Sequence, residues 1–571
     1  MTRIAVLDRE LCNPKKCNYS CMHVCPRNRA GEKCIVIGKH GYPEINESMC
    51  IGCGLCVKKC DFRALKVVNL PEALKENPII QFGPNSFRLF RLPVPVRGVV
   101  GLLGENGTGK TTAMKILSGH IKPNLGEFDK EVKWKDIIKT CGGNEIRAYI
   151  KKLADKKIKT AYKPQQVDHL IKRFSDTNEL NIDEKIAKKL KINIDGKELR
   201  NLSGGELQKI SIAITLSQDA DMYYLDEPSS FLDVRERLRV ARIIREFAFD
   251  RFVMVIEHDL AMLDLIADYI HIFYGEPGAF GVVSKPYSAK QGINTFLSGY
   301  IKEDNVRIRE PITFDGTFQQ NESKEILVSF GDIKKEFDNF SLFIEAGDIH
   351  KNEVLGVFGA NALGKTTFAK ILAGITGFEG EIDKKVKISY KPQYLSNIEY
   401  DGTVFDLLSV VKNPRDKEFG ALIRKLGLEN LLQKSVKNLS GGELQRAAIA
   451  SCLGRDCDLY MLDEPSAYLD VDQRMALAKI IRGMEKTFVV IDHDILFLSY
   501  IADRCMLFSG EPGKYGKGNF YCLKDGLNIF LKDLNITFRR DNETKRLKAN
   551  KPGSVKDREQ KTRGQYFTDF Y

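Results

Sequence analysis

The heptapeptide Leu-Ser-Gly-Gly-Glu-Leu-Gln occurs twice in this chain, at Leu202–Gln208 and again at Leu439–Gln445. A Gly-x4-Gly-Lys-Thr loop stands upstream of each copy, at Gly104–Thr111 and Gly359–Thr366. Downstream, each copy is followed by an apolar run ending in Leu-Asp-Glu-Pro-Ser and then by a His-Asp pair, His258-Asp259 and His493-Asp494. One set of phosphate-handling parts is therefore written twice in the same order. That duplication restricts the fold to two α/β lobes, each with buried strands delivering loops to one edge.

In the first lobe Val99–Leu103 reads as a short buried strand feeding the loop, and Thr112–Leu117 as the start of a helix. In that context successive backbone N–H groups and the positive end of the helix cradle phosphates. Gly104, Asn106, Gly107, Gly109, Lys110, Thr111 and Thr112 form the first cradle, and Gly359, Asn361, Gly364, Lys365, Thr366 and Thr367 the second. Lys110 and Lys365 reach β/γ oxygens, and Thr111 and Thr366 hold Mg²⁺. Met222–Leu225 and Leu459–Leu462 read as buried strands ending in Asp226-Glu227 and Asp463-Glu464. The aspartates suit Mg²⁺, directly or through water, and the glutamates are placed to orient or deprotonate the attacking water. Val253–Ile256 and Phe488–Ile491 deliver His258 and His493 to the same edge. Lys163-Pro164-Gln165 and Lys391-Pro392-Gln393 recur between loop and heptapeptide, and Gln165 and Gln393 suit Mg²⁺ and water contacts. ATP with Mg²⁺ is the expected ligand pair.

Nine of the 14 cysteines fall between Cys12 and Cys60, in two series. Cys50-x2-Cys53-x2-Cys56-x3-Cys60 has the ferredoxin spacing for a [4Fe-4S] cluster, in which the fourth cysteine reaches the neighbouring cube. By that logic Cys50, Cys53, Cys56 and Cys25 hold one cluster, and Cys12, Cys17, Cys21 and Cys60 the other. The first series has a longer opening loop than the standard one. Cys34 is left over and reads as a buried bystander. A pair of zinc sites is the competing reading.

Among the 571 residues no apolar run approaches the ~18 to 20 needed to span a bilayer. Met1–Cys12 lacks the apolar core of a signal peptide. Cytoplasmic location is expected, with the nucleus as a further compartment and no membrane partner. Net charge is +12, and 11 of those charges sit in residues 1–75 (+6) and 539–571 (+5). Basic ends suit a polyanionic partner.

The interval from loop glycine to heptapeptide is 98 residues in the first half and 80 in the second. The extra 18 fall within Trp134–Lys157, read as a Lys-rich helix–turn–helix hairpin for docking. Leu70-Pro71 and Asn77-Pro78 mark the exit from the cysteine unit, and Ile79–Arg97 alternates as strands do. Val306–Phe314 and Leu534–Arg540 carry related arginine-bearing phrases, read as a pair of hinge strands. The basic tail, with few aliphatics, is expected to order only by packing on the lobes.

Taken together, the loops, glutamines, Leu-Ser-Gly-Gly-Glu, Leu-Asp-Glu-Pro and histidines resemble the nucleotide-binding domains of ATP-binding cassette proteins in tandem. The resemblance implies a head-to-tail arrangement in which each loop faces the other half's signature. One site would combine Lys110, Thr111, Gln165, Asp226, Glu227 and His258 with Ser440 and Gly442. The other would combine Lys365, Thr366, Gln393, Asp463, Glu464 and His493 with Ser203 and Gly205. Asp233 and Asp470 match the loops that communicate between such halves, and Phe87 and Phe340 the aromatics that stack on adenine. With two ferredoxin-like clusters in front, the whole chain resembles subfamily E of these proteins, the ribosome-recycling ATPases once called RNase L inhibitors. The implied architecture is multidomain α/β. It comprises a small α+β ferredoxin-like domain with two [4Fe-4S] clusters (1–75), a first cassette (76–300, insertion about 134–157), a hinge (301–325), a second cassette (326–533) and a basic hinge or tail (534–571). The implied partners are the ribosome (small subunit, rRNA and proteins), a termination or rescue factor, and initiation factors, with a link to ribosome biogenesis. An ATP-gated iron–sulfur electron-transfer protein is the alternative, and the engine of a transporter a third reading. Two departures stand out. The second loop reads Gly359-Ala360-Asn361-Ala362-Leu363-Gly364, where glycine is usual, so binding is expected to survive with turnover less assured. Asp492 precedes His493 where Glu257 precedes His258, a change expected to lie outside the chemistry.

Overall fold

In the computed structural model, residues 2–9, 11–38, 40–70, 77–192, 196, 198–314, 325–383, 386–393 and 400–568 are described. Pro71, the 75/76 boundary, residues 315–324 of the proposed hinge (301–325) and Tyr571 lie outside them. The chain divides into two compact units: Met1–Phe231 with Arg239–Pro311, and Leu232–Leu238 with Ile312–Tyr571.

In the first unit the strand Gly98–Gly104 lies between parallel partners Phe252–Ile256 and Tyr269–Glu276. Met222–Asp226 and then Thr160–Lys163 extend the parallel side. Their apolar side chains are buried on both faces, as parallel strands require. Beyond Tyr269–Glu276 the sheet continues through antiparallel Phe280–Val283 to Arg88–Phe90 and Ile80–Gln81, so Ile79–Arg97 contributes two short strands. Helix Lys110–Leu117 follows the loop and buries Ala113, Met114, Ile116 and Leu117. The insertion is a helical hairpin, Trp134–Thr140 and Asn144–Ala154. Ile137, Ile146, Tyr149 and Ile150 sink into the lobe's core, and Tyr149 Oη donates to Leu117 O (2.6 Å). Lys133, Lys135, Lys139, Lys151 and Lys152 remain exposed.

The cysteine-rich head belongs to the same unit. Thr2–Leu7 pairs antiparallel with Leu65–Leu70, and Ile35–Ile37 with Pro43–Ile45, around short helices. It is fastened to the lobe by buried polar contacts: Ile45 N donates to Asn85 Oδ1 (2.6 Å), and Arg88 pairs with Glu47. Lys66 Nζ donates to Pro277 O (2.6 Å).

The second unit repeats the plan. Val354–Phe358 lies between parallel Thr487–Ile491 and Arg504–Glu511, followed by Leu459–Asp463 and Ile388–Lys391. Tyr515–Cys522, Phe340–Ile344 and Ile333–Phe337 complete the other side, and a separate three-stranded sheet holds Ile326–Phe330.

Both arginine-bearing phrases contain strands, yet each pairs locally. Val306–Arg307 pairs with Tyr300–Ile301, and Arg309 lies over the Phe296 ring (3.9 Å) within the first unit. In the second unit Phe538–Arg540 pairs with Leu547–Ala549 and Phe567–Thr568. The tail therefore differs from expectation. Through Thr568 it builds its own sheet with helix Val555–Thr562, around fully buried Arg546. Polar groups substitute for missing aliphatics there: Thr537 Oγ1 donates to Asp557 Oδ1 (2.7 Å), Asn550 Nδ2 to Thr537 Oγ1 (2.9 Å), and Gln560 Nε2 to Phe538 O (3.0 Å). A buried polar network can order a segment that hydrophobic pattern alone does not flag.

Candidate functional site

Each half brings its own phosphate-handling residues to the ends of its parallel strands. Lys110 Nζ donates to Gly104 O (2.7 Å) and Glu105 O (2.8 Å), curling the loop around the ammonium. Lys365 repeats this with Gly359 O (2.8 Å) and Ala360 O (2.7 Å), and burial pushes it down to about 8. Thr111 Oγ1 donates to Asp226 Oδ2 (2.9 Å), and Thr366 bonds Asp463. Asp463 is pushed up to about 6 by burial and then by Glu464, and its Oδ1 is buried without a hydrogen-bond partner. A magnesium ion fits this place: an orphaned buried carboxylate oxygen beside a hydroxyl is a hard oxygen donor set.

Glu227 and Glu464 begin the turn after their strands with φ of +47° and +48°, a left-handed conformation costly for a residue with Cβ. Around each, Gln165 Nε2 donates to Glu227 Oε1 (2.8 Å) and Gln393 Nε2 to Glu464 Oε1 (2.6 Å). His258 Nε2 stands 3.6 Å from Glu227 Oε1, and His493 Nε2 3.4 Å from Glu464 Oε1. Thus the glutamines, read as Mg²⁺ and water contacts, touch the carboxylate expected to handle water. Burial and then Asp226 raise Glu227 above its usual range. Glu464 is also lifted by burial, but His493 and Lys365 bring it below that range. Ser230 Oγ donates to Glu227 Oε2 (3.0 Å); Ala467 stands at the matching position.

Each Leu-Ser-Gly-Gly-Glu opens a helix, Gly204–Leu216 or Gly441–Leu453, through a capping box. Ser203 Oγ accepts from Glu206 N (3.3 Å) while Glu206 Oε2 accepts from Ser203 N (2.9 Å), and Ser440 and Glu443 do the same. Gly205 and Gly442 stand in the first turn of these helices. Phe87 and Phe340 lie across the last loop glycine of their own half: a Cβ on Gly109 would sit 2.7 Å from Phe87 Cζ, and one on Gly364 3.3 Å from Phe340 Cζ. Within the second unit, Asp233 Oδ2 accepts from Asn361 N (2.9 Å), while Asp470 caps Val471–Gly483 by accepting from Gln473 N (2.9 Å).

Sequence reasoning passed over three features. Lys163 and Lys391 are buried behind the glutamates. Gln208 Nε2 and Gln445 Nε2 each donate to the carbonyl of their half's glutamate (2.7 Å). Glu257 and Asp492, expected to lie outside the chemistry, are buried braces. Glu257 Oε1 accepts from His258 N (2.8 Å), and Asp492 accepts from Ser466 N and Asp494 N. Recurrence at matched positions was the available signal.

The second loop's departures have structural consequences. Ala362 occupies φ +58° where Gly107 sits at +80°, and each carbonyl accepts a similar amide (Gly513 N, 3.0 Å; Gly278 N, 3.1 Å). Thr108 Oγ1 donates to Glu105 O (2.7 Å), whereas Leu363 buries itself in the core instead. Ala362→Gly is expected to raise stability of the second unit by about 1 kcal/mol, by removing left-handed strain. Thermal unfolding with and without ATP checks this, and an unchanged or lowered midpoint would contradict it.

In the head, Cys25, Cys50, Cys53 and Cys56 line one cavity of roughly 360 Å³ including its mouth, together with Cys34. Cys12 neighbours Cys17, Cys21 and Cys60, and burial followed by those thiols pushes it up to about 12. Burial and then Cys50 and Cys53 push Cys56 up to about 12. Ala5 N and Ala64 N point at Cys50 Sγ and Cys60 Sγ (3.3 Å each). Among the described residues no three His, Cys, Asp or Glu side chains converge on a single-ion geometry. Thiols spread round a cavity with amides aimed at sulfur fit cubes, in which each thiolate takes a separate iron. Gly52 (φ +60°) is required beside Cys53, because a Cβ there would lie 2.4 Å from Arg3 Cβ. No helix among the described residues is long and apolar enough to cross a membrane.

Comparison with known proteins gives concordant matches. Residues 90–230 and 346–467 match the family described as "ABC transporter", residues 2–33 that described as "Possible Fer4-like domain in RNase L inhibitor, RLI", and residues 43–66 "4Fe-4S binding domain". An "Uncharacterized ABC transporter ATP-binding protein" of Methanocaldococcus jannaschii is 48% identical over 99% of this chain and 97% of its own. "ABC transporter E family member 1" of Arabidopsis thaliana is 40% identical over 99% of each chain. "Translation initiation factor RLI1" of Saccharomyces cerevisiae is 40% identical over 99% of this chain and 98% of its own. Among solved structures, "Model of ribosome-bound archaeal Pelota and ABCE1" superposes with TM-score 0.93 at 45% identity, covering 100% of this chain and 99% of that one. A complex of an archaeal ribosomal stalk protein with an archaeal ribosome recycling factor gives 0.79 at 44% identity over 86% and 99%.

Proposed function

Because this chain belongs to subfamily E of the ATP-binding cassette proteins, the RNase L inhibitor family, we propose that it is the ATPase that splits ribosomes after termination or rescue. It stays on the small subunit afterwards and so links recycling to initiation and ribosome biogenesis. The observation that carries this reading is the joining, in one chain, of a nine-cysteine head to two complete sets of phosphate-handling residues. Its partners are the ribosome and a termination or rescue factor of the Pelota kind. The cytoplasm is its compartment, with the nucleus a second.

Each site hydrolyses ATP to ADP and phosphate. Lys110 or Lys365 and the loop amides grip the phosphates, and the adenine stacks on Phe87 or Phe340. Magnesium supplies charge neutralisation and is held by Thr111 or Thr366, Asp226 or Asp463, and Gln165 or Gln393. Glu227 or Glu464 orients and deprotonates the attacking water, with His258 or His493 against its carboxylate. Two [4Fe-4S] clusters, on Cys25, Cys50, Cys53 and Cys56 and on Cys12, Cys17, Cys21 and Cys60, make the head a rigid piece. ATP binding shifts the population of conformers, and hydrolysis resets it. The basic head, hairpin and tail suit rRNA phosphates.

Sucrose-gradient sedimentation of joined ribosomes with this protein, ATP and a rescue factor tests the reading. Free subunits are expected, with the protein on the small one when Glu227 and Glu464 are both glutamine. Joined ribosomes under every condition would overturn it.

The two sites also differ in expected pH response. A base works only when ionised, so a raised carboxyl loses activity at a higher pH as pH falls. Turnover in Glu464→Gln, which leaves the Glu227 site, is expected to have its acid limb at higher pH than turnover in Glu227→Gln. Coincident or reversed limbs in pH–rate profiles would contradict this.

A further inference from the structure

Lys163 and Lys391 end their strands, Thr160–Lys163 and Ile388–Lys391, and both are buried (0% and 1% exposed). Among the described residues neither ammonium hydrogen-bonds a carboxylate. Lys163 Nζ donates to Asp226 O (2.8 Å) and lies 3.4 Å from Glu227 O, and Lys391 Nζ makes the same pair with Asp463 O (2.8 Å) and Glu464 O (3.3 Å). The carbonyls they hold flank the residue forced into left-handed backbone. The same peptide is held from two other sides. Gln208 or Gln445 donates to the glutamate carbonyl (2.7 Å), and the glutamate N donates to Ile256 O (3.0 Å) or Ile491 O (2.7 Å).

A buried cation is expensive, and well-packed apolar side chains usually replace it without loss when shape alone matters. Two such cations at matched places, each on carbonyls of the same strained turn, need a further reason. The glutamine two residues on supplies it. Gln165 and Gln393 hold the glutamate's carboxylate from the front (2.8 and 2.6 Å), while the lysines hold its backbone from behind. One Lys-Pro-Gln segment thereby fixes both ends of one glutamate.

We propose that Lys163 and Lys391 are positioning residues for hydrolysis. Each clamps the carbonyls of its Asp-Glu turn so that Glu227 or Glu464 meets the water in a fixed place, while phosphate binding is left to Lys110 and Lys365. This rests on the reading that those glutamates handle the water.

The test uses the full chain with Lys163→Met and Lys391→Met together, keeping bulk and removing the donors. Losing hydrogen bonds from a charged donor is expected to lower kcat by about tenfold or more. Affinity for a non-hydrolysable ATP analogue is expected to stay within about twofold, because removing interactions needed only for the chemical step leaves ground-state binding intact. Lys163→Gln with Lys391→Gln, which restores a neutral donor, is expected to recover part of kcat, and it is read by the same criteria if the methionine pair does not fold. Unchanged kcat, or analogue affinity falling in step with kcat, overturns the proposal. Glu227→Gln with Glu464→Gln, run alongside, separates the two levels. If it abolishes turnover and the lysine variants leave kcat unchanged, only the clamp is wrong. If it leaves turnover intact, the water-handling reading itself is wrong.

Discussion

Replacing Glu227 and Glu464 together by glutamine is expected to lower ATP turnover by about 10²- to 10⁴-fold, the range that positioned general bases contribute. The substitution is nearly isosteric, so the left-handed turn, the braces from Gln208 and Gln445, and the loop lysines stay in place. What disappears is the carboxylate that Gln165 and Gln393 hold and His258 and His493 approach, the proposed proton acceptor. Nucleotide affinity is expected to change little, because Lys110 and Lys365 are anchored to their own loops rather than to the glutamates. Steady-state phosphate release with a parallel binding titration checks both halves of this expectation. Turnover within about threefold of the unsubstituted chain would place the base elsewhere.

Cys56→Ala is expected to have the second large effect, on the head. Cys56 is buried in the head's small core, beside Cys50 and Cys53. Among the described residues, four of that core's ten buried members are cysteines, and Ala5, Leu7, Ile35, Ile45, Ala64 and Leu65 are the others. Burial and mutual proximity push Cys12 and Cys56 up to about 12 and Cys21 to about 11. Thiols raised this far stay protonated in the absence of metal, and iron has to displace those protons. Metal binding is then much of the folding free energy, as in other small metal-dependent domains. Loss of one cluster's iron, of the corresponding visible absorbance, and of protease resistance across residues 2–66 is expected. The cassettes should keep ATP binding. A variant retaining full iron and a protected head would show that the apolar residues suffice.

Much of this was legible in the sequence because the chain states it twice. A Gly-x4-Gly-Lys-Thr loop after Val99–Leu103 leaves few alternatives to a strand end facing phosphate, and Leu-Asp-Glu after a second apolar run places the carboxylates beside it. Ser203 and Glu206 announce a capping box by spacing alone. Ferredoxin spacing led to the neighbour relations among the eight thiols. The interior of the sites was harder to read. Nothing in one-dimensional pattern says that Lys163 turns inward, since lysine at a strand end is normally solvated. The strain at Glu227 and Glu464 is a tertiary effect, imposed by the partners of that peptide. The tail misled for a related reason: beside Ile536, Phe538, Leu547, Ala549 and Phe567 it buries Arg546, Asp557, Gln560, Thr537 and Asn550, which no hydrophobic pattern detects. Leu363 and Ala362 were visible as oddities, but their consequences depend on backbone conformation.

Nucleotide in the cassettes and an iron-bearing head are expected to act together on the ribosome. Stopped-flow light scattering of joined ribosomes mixed with protein, ATP and a rescue factor tests that most directly. The unsubstituted chain should lower scattering as subunits part, Glu227→Gln/Glu464→Gln should do so for a single round, and Cys56→Ala should leave the signal flat. A flat trace with the unsubstituted chain, or an equal fall with Cys56→Ala, would contradict the claim.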